Sequence, residues 1–176
     1  ATWKLVFLHH PLYTSGRYRN SSRAHRWALE PILVRHDVNV VLSGHEHIYQ
    51  RSQLQQGVLY FVSGGAGSLR RGDGVASPLI PRSFADDYHF VLMEIEDDAL
   101  HFQAVSRSGA TIDAGTMYRD AEDARRVRVD VIGPAGSPDN GFRLTTIGGQ
   151  LALTAGTYYV GGLRFDRAGR LVRAVE

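Results

Sequence analysis

The chain contains no cysteine. Disulfide frameworks, thiolate nucleophiles and thiolate-ligated zinc or iron–sulfur sites are therefore excluded. No apolar stretch approaches the roughly 20 residues that a membrane-spanning helix needs. Charge of one sign is also scarce. The 20 Lys and Arg are balanced by 18 Asp and Glu, leaving a net charge of +2. One basic cluster, Arg17, Arg19, Arg23 and Arg26, has little aromatic interleaving, which argues against nucleic-acid binding. No signal peptide is visible at Ala1. A chain beginning on alanine and not methionine is expected to be processed or partial.

The 176 residues suffice for one domain, or for a domain with a small appendage. Trp3 to Leu8 is apolar at nearly every position and reads as a buried strand. Pro11 and Ser15-Gly16 mark the loop that follows. Ser21 or Ser22 is placed to cap a helix over 23–36, with Trp27, Leu29, Ile32 and Leu33 on its apolar face. Pro31 lies inside that span and predicts a kink or two shorter segments. Val38 to Leu42 reads as the next strand. A strand–helix–strand order implies a parallel crossover.

Short strands are expected at 48–54 and 58–62, then a glycine-rich loop from Ser63 to Gly67. Residues 70–87 read as a long surface loop. A hairpin is expected over 88–95 and 99–106, turning at Asp97-Asp98. Gly109, Asp113 and Gly115 occupy turn-like positions, and the first domain is expected to close near Met117. Beyond a charged stretch at 118–126, short apolar segments separated by Gly, Pro, Asp and Asn predict an antiparallel β module or extension. It contains no histidine.

Chemistry concentrates at two strand exits, Phe7-Leu8-His9-His10-Pro11-Leu12-Tyr13 and Ser43-Gly44-His45-Glu46-His47-Ile48-Tyr49-Gln50-Arg51. Neutral imidazole is a good ligand for Zn, Fe, Mn, Ni or Cu. Extended backbone would place His45 and His47 on one side, whereas a tight loop would splay them toward different ions. His9 is the best third ligand, because parallel strands about 4.8 Å apart deliver their C-terminal loops to a common place. His10 reads as a neighbour or outer-shell group, since adjacent strand residues face opposite ways. Glu46 points away to hold a loop or an outer-shell contact.

These motifs, together with Val62-Ser63-Gly64-Gly65-Ala66-Gly67, resemble the C-terminal half of the calcineurin-like metallophosphoesterases, closest to the purple-acid-phosphatase-like branch. The resemblance covers residues 3–117 and leaves 118–176 outside it. It implies an α/β fold, part of a four-layer α/β/β/α sandwich, with 1–117 as the C-terminal half of the catalytic domain and 118–176 as a linker and β-rich extension. It implies two divalent or mixed-valence metal ions, Fe, Zn, Mn or similar. His9 and His45 would ligate one ion and His47 the other. Tyr49 and Arg51 match a common continuation of the motif and would support the loop.

The sequence does not carry the ordered Asp-x-His, Gly-Asp and Gly-Asn-His series of the family's first half ahead of the His9 motif, and Gly-Asn-His occurs nowhere in it. A complementary N-terminal polypeptide supplying Asp, Asn and His ligands is therefore the expected partner. So completed, the site would hydrolyse phosphate mono- or diesters, with His25 as the candidate proton donor to the leaving group and a plain helix-surface histidine as the alternative. Arg17 and Arg19 are candidate phosphate contacts, with solvated loop arginines as the alternative. The resemblance leans toward an extracytoplasmic location. A non-catalytic metal-binding or interaction module is the alternative function.

Overall fold

A computed structural model of the chain describes residues 3–119 in full. Beyond them it describes the backbone of six strands, at 127–132, 144–147, 150–153, 159–160, 163–165 and 171–173. Two compact units result, one of residues 1–90 with 119–127 and the other of 91–118 with 128–176. The fold is α/β, with a mixed sheet and an antiparallel sheet.

The mixed sheet belongs to the first unit. It contains β1 (Leu5–Leu8), β2 (Val40–Ser43), β3 (Tyr49–Arg51), β4 (Leu59–Ser63) and β5 (Arg82–Phe84), in the order β1-β2-β4-β3-β5. The pairs β1–β2 and β2–β4 are parallel, and β3 runs antiparallel to both β4 and β5. The register aligns Leu8 with Ser43 and Ser43 with Val62. Three parallel strands therefore end level with one another, and the loops after them leave from one edge.

The crossover from β1 to β2 is the helix α1 (Arg19–Arg35). Its inward stripe of Ser22, Arg26, Leu29 and Leu33 follows helical spacing. Val6, Val41 and Tyr60 are aligned across the sheet and join Leu29, Leu33 and Val34 in one apolar core with Leu12, Tyr13, Val38, Val58 and Ile80. Truncating a residue such as Leu33 to alanine would cost about 2–5 kcal/mol by transfer and cavity terms. No helix among the described residues is long and apolar enough to cross a membrane.

Several expectations need correction. The helix begins four residues early, and neither Ser21 nor Ser22 caps it. Tyr18 occupies the N-cap without a side-chain cap bond, and both serine hydroxyls donate backward, to the Tyr18 and Arg19 carbonyls. Pro31 sits inside one continuous 17-residue helix, so the alternative of two shorter segments does not hold. Pro31 and Trp27, whose carbonyl would have bonded its missing N–H, are both on the solvent side, where losing that bond costs least. β1 is not buried: it lies at the sheet edge and leaves Phe7 74% exposed. Trp27 is 80% exposed. Residues 70–87 contain the short strand β5, paired with β3.

The second sheet has the order β6 (His89–Glu96), β7 (Ala99–Ser106), β8 (Thr111–Arg119) and β9 (Val127–Ile132). β7 and β8 pair antiparallel, with an irregularity at Ala104/Val105. Only Gly109 of the three expected turn residues lies in a turn, at φ 82°. Asp113 and Gly115 are strand residues opposite Ala104 and Phe102. Pairing partners, which single residue types do not reveal, decide this. β10 (Leu144–Ile147) and β11 (Gln150–Leu153) form an antiparallel pair. β12 (Tyr159–Val160), β13 (Leu163–Phe165) and β14 (Leu171–Arg173) form a three-stranded antiparallel sheet. The charged stretch expected at 118–126 lies outside the described residues from 120 onward.

Candidate metal centre

Two loops leaving the level ends of β1 and β2 build the site. The Gly44 N–H donates to the His9 carbonyl at 3.2 Å, so the loops are tied by backbone before any side chain meets. The next residue, His45, is in the left-handed region at φ 63°, a conformation uncommon for a non-glycine residue. Here it turns the imidazole back toward β1. His45 Nδ1 and His9 Nε2 are 3.2 Å apart, one ring donating to the other according to tautomer.

His10 belongs to the same group. Its ring centroid is 4.2 Å from that of His45 and 4.9 Å from that of His9. One ring nitrogen from each of His9, His10 and His45 lies within 4.8 Å of the others. Strand alternation predicts His10 as a neighbour or outer-shell group; it is a neighbour, but the strand stops at Leu8, so alternation does not set which way it faces. His25, on α1 and exposed, stacks on His10 at 5.1 Å with an interplanar angle of 10°. His47 lies outside this trio, and its carbonyl accepts the Arg70 N–H at 3.1 Å. Arg17 and Arg19 are exposed.

Beneath the histidines lies Glu46, which is fully buried. Its Oε1 accepts the Tyr18 N–H at 2.6 Å. Its Oε2 has no hydrogen-bond partner among the described residues, and the nearest cation is Arg70 Nη1 at 3.9 Å. Arg70 also donates to the His45 carbonyl at 3.5 Å and lies over the Tyr18 ring, 5.3 Å from its centroid. The Tyr18 ring in turn packs on His45 at 4.4 Å. Sequence reasoning missed Tyr18 and Arg70, since neither belongs to a motif. Only the fold shows that the loop before α1 and the loop after β4 meet at Glu46.

Glycines make this packing feasible. A Cβ on Gly16 would stand 2.7 Å from the Glu46 carboxyl carbon, and one on Gly64 would collide with the Glu46 carbonyl. A Cβ on Gly65 would collide with the His89 ring, whereas one on Gly67 would meet nothing within 4 Å. Gly64 and Gly65 thus serve close approach of protein to protein.

Burial, and then the neighbouring His10 and His9, push the His45 pKa below the usual imidazole value. A neutral imidazole is the ligating form. The donor set is nitrogen-only, which suits borderline transition ions and not the hard, oxygen-seeking Mg²⁺ or Ca²⁺. The residues present therefore fit a metal ion of the expected class.

Histidines from adjacent parallel strand ends converge on an α/β scaffold in a group able to hold a metal ion. Over part of its length the chain is similar to the purple acid phosphatases, in keeping with a purple-acid-phosphatase-like metallophosphoesterase. It is 27% identical over 134 residues to acid phosphatase A of Cryphonectria parasitica, covering 66% of this chain and 27% of that protein. It is 26% identical over 103 residues to purple acid phosphatase 3 of Arabidopsis thaliana, covering 57% and 28%. The chain thus spans little more than a quarter of these curated relatives. No protein-family profile matches it. Among solved structures, GAP50, the anchor in the inner membrane complex of Plasmodium, aligns with a TM-score of 0.46 and 16% identity, covering 73% of this chain and 36% of that one.

Proposed function

We propose that this chain contributes the histidine-bearing part of a binuclear phosphoesterase centre. In this reading residues 1–117 are the C-terminal half of the catalytic domain and 118–176 an appended β-rich extension. A complementary N-terminal polypeptide supplies the Asp, Asn and His ligands and completes the four-layer sandwich. The observation that supports this most directly is the 3.2 Å approach of His45 to His9, with the similarity to phosphatases pointing to phosphate mono- or diesters as substrates.

His9 and His45 hold one ion and His47 the other. Bound ions of the Fe, Zn or Mn kind supply Lewis acidity toward phosphoryl oxygens and make water more acidic. The chain's own residues do the rest. Glu46, Tyr18 and Arg70 fix the His45 loop. His25, held against His10, donates the proton that the leaving alcohol requires. Its place on the exposed face of α1 leaves it open to solvent, and hence to reprotonation.

The test is reconstitution with a polypeptide carrying the missing aspartate and asparagine ligands. Two ions per complex and hydrolysis of a generic aryl phosphate are expected. A complex that holds both ions yet shows no turnover toward monoesters or diesters would sink the reading.

A further inference from the structure

The resemblance gives this chain two histidines for the first ion and leaves the remaining ligands to a partner. The structure adds a third imidazole. We infer that His10 joins His9 and His45 as a ligand, so that the chain alone holds one borderline divalent ion, such as Zn²⁺, Co²⁺, Ni²⁺ or Cu²⁺, on three nitrogens. This rests on the reading above only in placing an ion between His9 and His45.

Four observations carry it. The first is distance. Metal–imidazole bonds of about 2.0–2.1 Å in tetrahedral geometry put ligand nitrogens about 3.3 Å apart. His9 Nε2 and His45 Nδ1 are already at 3.2 Å. One ligand nitrogen from each of the three lies within 4.8 Å of the others, and His9 and His10 are exposed, so their side-chain torsions are free to adjust toward that spacing.

The second is rigidity on the His45 side. The left-handed His45 backbone, the Gly44 N–H bond to the His9 carbonyl and the Tyr18 ring against His45 fix one corner of the triangle without metal. The third is orientation of His10. The stacked His25 ring restrains its plane while leaving its edge, where the nitrogens are, free to coordinate. The fourth is chemistry. No carboxylate belongs to the group, so the set selects ions that favour imidazole over oxygen. Three nitrogens also leave one tetrahedral position open to water or to a phosphoryl oxygen.

The experiment uses the full chain without an affinity tag, titrated with Co²⁺ and Zn²⁺ by calorimetry and visible absorption. One ion per chain is expected, with the intense visible bands of tetrahedral Co²⁺. His10→Ala should weaken binding by more than about tenfold, since loss of even an outer-shell partner costs that much, and should dim those bands. His36→Ala, remote from the trio, should leave affinity as it is. Circular dichroism of the metal-free His10→Ala chain should match the parent, because His10 is exposed.

Unchanged affinity in His10→Ala would overturn the inference. So would equal weakening by His36→Ala, or absence of a one-to-one site in the parent chain. Turnover by the reconstituted complex is a separate readout. If the chain holds one ion this way but the reconstituted complex never hydrolyses a phosphate ester, this site stands and the phosphoesterase reading falls.

Discussion

Gly16 lies directly against the Glu46 carboxyl group: an ideal Cβ at position 16 would be 2.7 Å from Glu46 Cδ and Oε1 and 2.9 Å from Oε2. Gly16 has no left-handed backbone to protect, so steric crowding alone decides what a side chain there does. Gly16→Ala should destabilise the chain by about 1–3 kcal/mol through overpacking. Glu46→Ala removes the crowding but also the acceptor for the Tyr18 N–H. In a double-mutant cycle by urea denaturation, the pair should cost clearly less than the sum of the single changes. Simple additivity would show that the two residues do not press on each other.

The position of His45 sets its titration. Burial and two neighbouring imidazoles hold its pKa below the ordinary value of about 6.5. Proton–nitrogen NMR of the metal-free chain should place its midpoint below that of an unperturbed histidine. Protons should therefore compete only weakly with a metal ion for His45, and affinity at mildly acidic pH should fall less steeply than a site of ordinary histidines would give. A midpoint at or above 6.5 would contradict this account.

Two buried histidines outside the site bear on acid stability. His89 is 3% exposed and His101 7%. Each has an Nε2 without a hydrogen-bond partner among the described residues. Burial lowers the pKa of both, opposed by Asp87 for His89 and by Glu96 for His101. The unfolded chain takes up these protons near pH 6.5, while the folded chain resists until lower pH. Their neutral forms thus contribute stability that is fully present above about pH 6.5 and lost as pH falls toward the depressed folded values. Denaturation midpoints should decline across that window. His89→Leu and His101→Leu should each remove up to about one proton from the slope. Slopes unchanged by both substitutions would refute the assignment.

Gln50 ties the loop after β1 to β3 and β5. It is 1% exposed. Its carbonyl accepts from Thr14 Oγ1 at 2.8 Å and the Ser15 N–H at 3.1 Å, and its amide donates to Ser15 Oγ at 2.6 Å and Ser83 Oγ at 3.1 Å. Gln50→Leu keeps the bulk but strands these partners, and should cost about 1–3 kcal/mol. Calorimetric unfolding measures it, and a loss under a few tenths would show the network to be dispensable.

Much of this architecture was legible in the sequence. Apolar runs marked β1, β2 and β4 within two residues, and the histidines at their exits indicated where a site would form. Edge position was not legible, because Leu5 to Leu8 reads alike in a sheet centre or at its margin. The helix start was also hidden, since the bond that anchors Tyr18 comes from Glu46, 28 residues away. The place of His10 within the group was not legible, because the chain leaves strand geometry at Leu8 and alternation no longer says which way its side chain turns.

Trp27 gives the chain an optical reporter. Only two tryptophans are present, and Trp27 stands in water two residues after His25 on the same helix. Its emission should be red-shifted in the folded state. A paramagnetic ion such as Cu²⁺ captured by the neighbouring imidazoles should extinguish part of that light, so that site occupancy can be followed by fluorescence without a label.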